Sequence, residues 1–149
     1  MISIKRINRS AGFTLIETLL VLFVITLLIG LPSILMERSQ ENILIGQFFG
    51  SFERHLLQTQ QLAVTGSEDT MIHFAEADCL VFTSAYGKEV LTIPTTLEAV
   101  GPEKIVFKQR TGNNGKLSKY SFIWKKQGRR IDYQFQMGSG RYVKKISEL

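Results

Sequence analysis

The chain has 149 residues, 44% of them apolar and 21% charged, which suffices for one ordinary domain plus an anchoring element and excludes a two-domain enzyme. Its net charge of +5 is unevenly spread: residues 37–103 carry three basic and ten acidic side chains, whereas residues 104–149 carry twelve basic and two acidic. The single cysteine, Cys79, excludes an intramolecular disulfide framework and a cysteine-rich zinc site.

Residues 1–12 form a short leader with Lys5, Arg6 and Arg9. Residues 13–36 contain one ionisable side chain, Glu17. As a helix these 24 residues cover about 36 Å, enough for a hydrocarbon core about 30 Å thick. The cations before the run put the N-terminus in the cytoplasm and the rest of the chain outside. A cleaved secretory signal would have a shorter apolar core and a small-residue site after it, and residues 32–37 offer none. A plain anchor does not account for Glu17, because a carboxylate near the bilayer centre costs about 2.5–3.5 kcal/mol. A cut between Gly12 and Phe13 would create a cationic amine close to that carboxylate, at a helix end whose dipole favours an anion. In a packed bundle the Glu17 of one subunit would then neutralise the amine of the next and set their axial register.

The hexapeptide Gly12-Phe13-Thr14-Leu15-Ile16-Glu17, after a basic leader and before an apolar helix, resembles the class III signal of type IV pilins and pseudopilins. The resemblance implies cleavage after Gly12 by a membrane prepilin peptidase, N-methylation of Phe13, and assembly with other pseudopilins through residues 13–36 with Glu17 as the recruiting acid. Many pilins carry a helix-breaking Gly and Pro at characteristic places. Here they fall at Gly30 and Pro32, which puts the kink of the mature helix elsewhere.

Residues 37–65 continue as an amphipathic helix. Ile45, Phe48, Phe49, Phe52, Leu56 and Ala63 recur at helical steps, opposite Gln47, Ser51, Arg54, Gln58 and Gln61. Gly66 stands at the expected C-cap. From residue 66 to 149 the period is two, with strands expected over 70–75, 79–85, 89–93, 104–109, 120–126, 131–137 and 142–146, separated by Gly-bearing turns. Ile131, Tyr133, Phe135 and Met137 alternate with Asp132, Gln134 and Gln136, and pair with Tyr120, Phe122 and Trp124 across the turn at Gly128. The expected fold is α+β, a long N-terminal helix packed on an antiparallel sheet, as pilin resemblance also implies.

No catalytic constellation is present, and no enzyme activity, cofactor or small-molecule substrate is expected. His55 and His73 lack a second ligand at metal spacing, and no motif for a nucleophile or a phosphate loop occurs. Cys79 reads as a core residue. The basic C-terminal third is the candidate site. Lys125, Lys126, Arg129 and Arg130 cluster at one hairpin turn, and Arg141, Lys144 and Lys145 follow Gly138-Ser139-Gly140 at the next. Seven cations on neighbouring loops suit a phosphate backbone, and Tyr142 and Trp124 could add stacking, although alternation puts Trp124 in the core. The same cations suit a solvated face, or the acidic stretch 37–103 of a neighbouring subunit.

The leader, the segment Leu57-Gln58-Thr59-Gln60-Gln61-Leu62-Ala63 and the late Gly138-Ser139-Gly140-Arg141 are similar to those of minor pseudopilins of Gram-positive competence systems. They are more distantly similar to minor pseudopilins of type II secretion, and to pilus proteins whose C-terminal Gly-Arg motif contacts DNA. The resemblance implies a competence pseudopilus serving DNA uptake, with DNA as a candidate partner. Its alternative is a protein-export machine in which the basic patch binds another subunit.

Overall fold

A computed structural model describes residues 14–76 and 78–149. The chain divides into two compact units between Asn42 and Ile43. Gly12, Phe13 and the leader cations lie outside the described residues.

Helix α1 (Leu15–Thr65) begins immediately after Thr14, and its residues up to Asn42 belong to the first unit. The Glu17 N–H donates to the Thr14 carbonyl at 3.0 Å and faces Thr14 Oγ1 at 3.3 Å. Thr14 followed three residues later by Glu17 is the spacing of a capping box, and a carboxylate in the first turn is favoured by the helix dipole. From Leu15 to Gly30 every side chain is exposed, including Leu15, Leu22, Phe23 and Leu28 at more than 60% each. Among the described residues no helix is long and apolar enough to cross a membrane. The apolar stretch whose side chains are described ends at Gly30, and 16 residues rise only about 24 Å. The length expected from the sequence depends on residues 31–36 as well. The backbone stays helical through Gly30 and Pro32.

In the second unit the apolar stripe of α1 buries Ile45, Phe48, Phe49, Phe52, Leu56 and Ala63, as the spacing dictates. The helix ends at Thr65, and the Gly66 N–H closes on the Leu62 carbonyl at 2.9 Å. The strands are β1 (Thr70–Glu76), β2 (Cys79–Ser84), β3 (Gly87–Thr92), β4 (Glu98–Val100), β5 (Lys104–Phe107), β6 (Lys119–Trp124), β7 (Arg129–Phe135) and β8 (Tyr142–Glu148). They form two antiparallel sheets, not the single one expected, in the orders β3-β2-β1-β5 and β4-β6-β7-β8. The period-two pattern marks which residues face inward but carries no information about which strands share a sheet. Strand β4 escaped the sequence reading because it holds three residues among Pro94, Gly101 and Pro102.

Both inner faces close on the same helix stripe. Phe52 is fully buried, with its ring against Phe82 of the first sheet and against Tyr120, Phe122 and Tyr133 of the second. The expected hairpin is present, with Tyr120 opposite Tyr133 and Phe122 opposite Ile131. Its turn differs: Lys125–Gln127 is a 3-10 turn that ends at left-handed Gly128, so Lys125 and Lys126 leave the strand expected to contain them.

Candidate nucleic-acid interface

Alternation along β7 and β8 sorts the candidate cations between two faces. Residues 131, 133 and 135 point into the core, so Arg130 and Asp132 lie on the outer face of the second sheet. The register sets Lys145 opposite Asp132 and Lys144 opposite the core residue Tyr133. Lys145 therefore joins Arg130 outside, whereas Lys144 turns inward.

Lys144 is occupied there. Its Nζ bonds Glu53 Oε1 of α1 at 2.7 Å and stands 5.4 Å and 5.5 Å from the ring centroids of Phe49 and Tyr133. The Tyr133 hydroxyl donates to the same Glu53 oxygen at 2.7 Å. Burial acts to raise the Glu53 pKa, but the hydrogen bonds from Lys144 and Tyr133 outweigh it and hold the carboxyl below its usual range. Burial and the adjacent carboxylate push the Tyr133 phenol up, so it remains a donor. An inward charge on an edge strand also discourages strand pairing at that edge.

The outer face is built around Asp132. Arg130 Nε lies 2.9 Å from Asp132 Oδ1, Arg130 Nη2 donates to the buried Ser121 Oγ at 3.2 Å, and Lys119 Nζ lies 3.3 Å from Asp132 Oδ2. Burial of Asp132 opposes ionisation, but the bonds from Ser121, Arg130 and Lys119 prevail and lower its pKa. Lys119 and Arg130 thus pair with one carboxylate, and Lys145, opposite it in the register, leaves an excess of positive charge on this face. Sequence reasoning missed Lys119. Its signal was available, because outward parity on β6 sets it beside the Ser121–Asp132 pair.

The remaining candidates are dispersed. Lys125 pairs with Glu98 at 2.6 Å, Lys126 sits on the 3-10 turn, and Arg129 begins β7 opposite Glu148. Arg129, Arg141 and Lys145 are exposed, with no ion-pair partner among the described residues. The two aromatic candidates offer little stacking surface: Trp124 is buried, and the half-buried Tyr142 packs at 5.4 Å from Tyr133 and 6.2 Å from Phe135. Arg141 follows a loop pressed against the helix end. Gly138 and Gly140 are left-handed, and Gly140 is buried where a Cβ would meet the Gly112 carbonyl and Gln60 Nε2. Gln60 Nε2 lies 3.2 Å from the Ser139 carbonyl, so two segments remote in sequence meet at one amide.

The histidines have other surroundings. His55 Nδ1 lies 2.7 Å from Glu89 Oε2, and His73 is half-buried on β1. Cys79 is half-buried at the start of β2. Among the described residues no group of His, Cys, Asp and Glu could hold a metal ion.

Comparison with known proteins bears on both ends of the chain. Residues 7–31 match the family described as the prokaryotic N-terminal methylation motif. Over 141 residues, 92% of this chain and 80% of that protein, it is 31% identical to the competence protein ComGD of Streptococcus pneumoniae strain ATCC BAA-255 / R6. No solved structure matches.

Proposed function

The chain belongs to the ComGD family of competence proteins, with the N-terminal methylation motif of type IV pilin-like pseudopilins, and on that premise we propose that it is a non-enzymatic minor subunit of a competence pseudopilus that contacts DNA during natural transformation. The leader 1–12 is removed by prepilin peptidase between Gly12 and Phe13, and the new amine of Phe13 is methylated. Residues 13–36 anchor the chain in the membrane with its N-terminus in the cytoplasm, then pack against other pseudopilins, with Glu17 neutralising a neighbour's amine. Residues 37–65 continue the helix beneath an extracytoplasmic, pilin-like domain formed by 66–149.

The exposed apolar surface from Leu15 to Gly30 supports the anchoring and assembly steps, because a surface of that kind requires a lipid or protein partner. One observation carries the DNA contact: Lys119 and Arg130 pair with Asp132 on the outer face of the second sheet, and Lys145 stands opposite Asp132 in the strand register as an exposed third cation. A cationic face of this composition suits a phosphate backbone and confers no base specificity. The competence reading is favoured over protein export by the relative, which is a competence protein.

The test is DNA affinity of the full chain in detergent micelles as a function of salt. Replacing Lys119, Arg130 and Lys145 together by Gln should reduce the salt slope by about 0.9 for each phosphate that is no longer neutralised. An unchanged slope would exclude this face as the DNA-binding surface and leave the patch to a protein neighbour.

A further inference from the structure

Three segments meet at the C-terminal end of α1: the helix's last turns, the loop 108–114 and the loop 138–141. The Arg110 N–H donates to the Ala63 carbonyl at 2.8 Å, which satisfies one of the helix's terminal acceptors. The Gly138 N–H donates to the Asn114 carbonyl at 3.2 Å, which ties the two loops together. Between them stands Gln60, whose Nε2 lies 3.5 Å from the Gly112 carbonyl and 3.2 Å from the Ser139 carbonyl. Gly112 and Gly140 are both left-handed, at φ +62° and +63°, and each lies where a Cβ would strike the other segments.

Arg110 is the one non-glycine residue with positive φ among the described residues, at +65°. A long side chain in that conformation is uncommon and persists only where its surroundings hold it. Arg110 and Arg141 are both exposed, with no ion-pair partner among the described residues. They flank the close approach of Gly112 and Gly140 on the two loops that Gln60 joins.

We propose that Gln60 is a positioning residue for nucleic acid: by holding the Gly112 and Ser139 carbonyls with one amide, it fixes the loops that carry Arg110 and Arg141, so that the two cations engage the phosphates of one strand as a pair. This rests on the DNA-contact reading above and adds to it a second cluster, at the helix end. Pre-arranged cations bind a polyanion more tightly than the same cations on independent loops, because the second cation engages at high effective concentration.

The experiment is a cycle of variants in the full chain in detergent micelles, read by anisotropy of a fluorescein-labelled duplex across a salt series. In the wild-type background, Arg110→Ala and Arg141→Ala should each weaken binding and lower the salt slope by about 0.9. The double variant should lose less than the product of the two single losses, since either one already breaks the pair. Gln60→Met keeps the side-chain length and removes the donors. It should weaken binding about tenfold and make the two arginine effects multiply independently. Gly140→Ala, which forces the loops apart with Gln60 intact, should act in the same way, and it keeps the test available if Gln60→Met does not fold. A role confined to stability would lower the unfolding temperature without changing the coupling between the arginines. Wild-type coupling that persists in the folded Gln60→Met or Gly140→Ala chain would overturn the positioning role. Wild-type affinity in the Arg110→Ala, Arg141→Ala double variant would overturn the paired engagement while leaving the outer face of the second sheet as the DNA site. Absence of salt-dependent DNA binding by the wild-type chain would overturn the reading on which the proposal rests.

Discussion

Phe52→Ala should be among the most damaging single changes in the second unit, because Phe52 joins the helix to both sheets. Its side chain is fully buried, with ring centroids at 4.9 Å from Tyr133, 5.2 Å from Phe122, and 6.2 Å from both Phe82 and Tyr120. Truncating a buried phenylalanine costs about 3–5 kcal/mol, and the cost rises when the surroundings are unable to close the cavity. Collapse here would require both sheets to move toward the helix, so a loss near the upper end, about 4–5 kcal/mol, is expected. That is at least about a quarter of the stability of an ordinary domain. The assay is denaturant unfolding of the full chain, followed by fluorescence of Trp124, the single tryptophan, which packs in the same core. Phe52→Leu, which retains most of the volume, should lose no more than about 1.5 kcal/mol. A loss below about 1.5 kcal/mol for Phe52→Ala, equal to that for Phe52→Leu, would refute the view that one ring holds the three layers together.

Acid should destabilise the second unit through Glu53 and Asp132, whose hydrogen bonds and cationic neighbours hold both carboxyls below their usual range against the opposing effect of burial. A depressed folded-state pKa means that the unfolded chain takes up protons first. The contribution is therefore complete above the ordinary carboxylate range and is lost as pH falls through the folded value, below about pH 4. Unfolding temperatures measured from about pH 6 to about pH 2 should fall less steeply for Glu53→Gln, Asp132→Asn than for the wild type, and parallel curves would contradict this assignment. At the N-terminus, chain recovered from the membranes of a host with a prepilin peptidase should begin at Phe13 and carry one added methyl group, as mass spectrometry and N-terminal sequencing would establish. Recovery of chain that still begins at Met1 would refute the processing step.

Much of the fold could be read from residue spacing. The stripe from Ile45 to Ala63 and the alternation through Tyr120–Trp124 and Ile131–Phe135 each depend on one local period, and the buried residues follow both. The separation into two sheets could not be read, because strand order is decided by packing between segments distant in sequence. The candidate site was legible in composition and only in part in geometry. Lys144 and Lys145 are adjacent in sequence and fall on opposite faces of β8, so a cluster counted along the chain divides in space. Lys119 joins Arg130 only through the hairpin register, and Gln60 meets Ser139 across 79 positions, a pairing that no local pattern records. The Thr14–Glu17 capping spacing, in contrast, was present in the sequence and gives Glu17 a place in the first turn of α1 beside its expected role in assembly.

As proposed above, this chain serves DNA uptake as an assembled pseudopilin. Its most direct test is transformation frequency in the natural host after in-frame deletion, with wild-type chain and Glu17→Ala restored in parallel at equal abundance. Deletion should abolish transformation, and the wild type alone should restore it. Unimpaired transformation in the deletion strain would contradict the role in DNA uptake, and full rescue by Glu17→Ala would contradict assembly through Glu17.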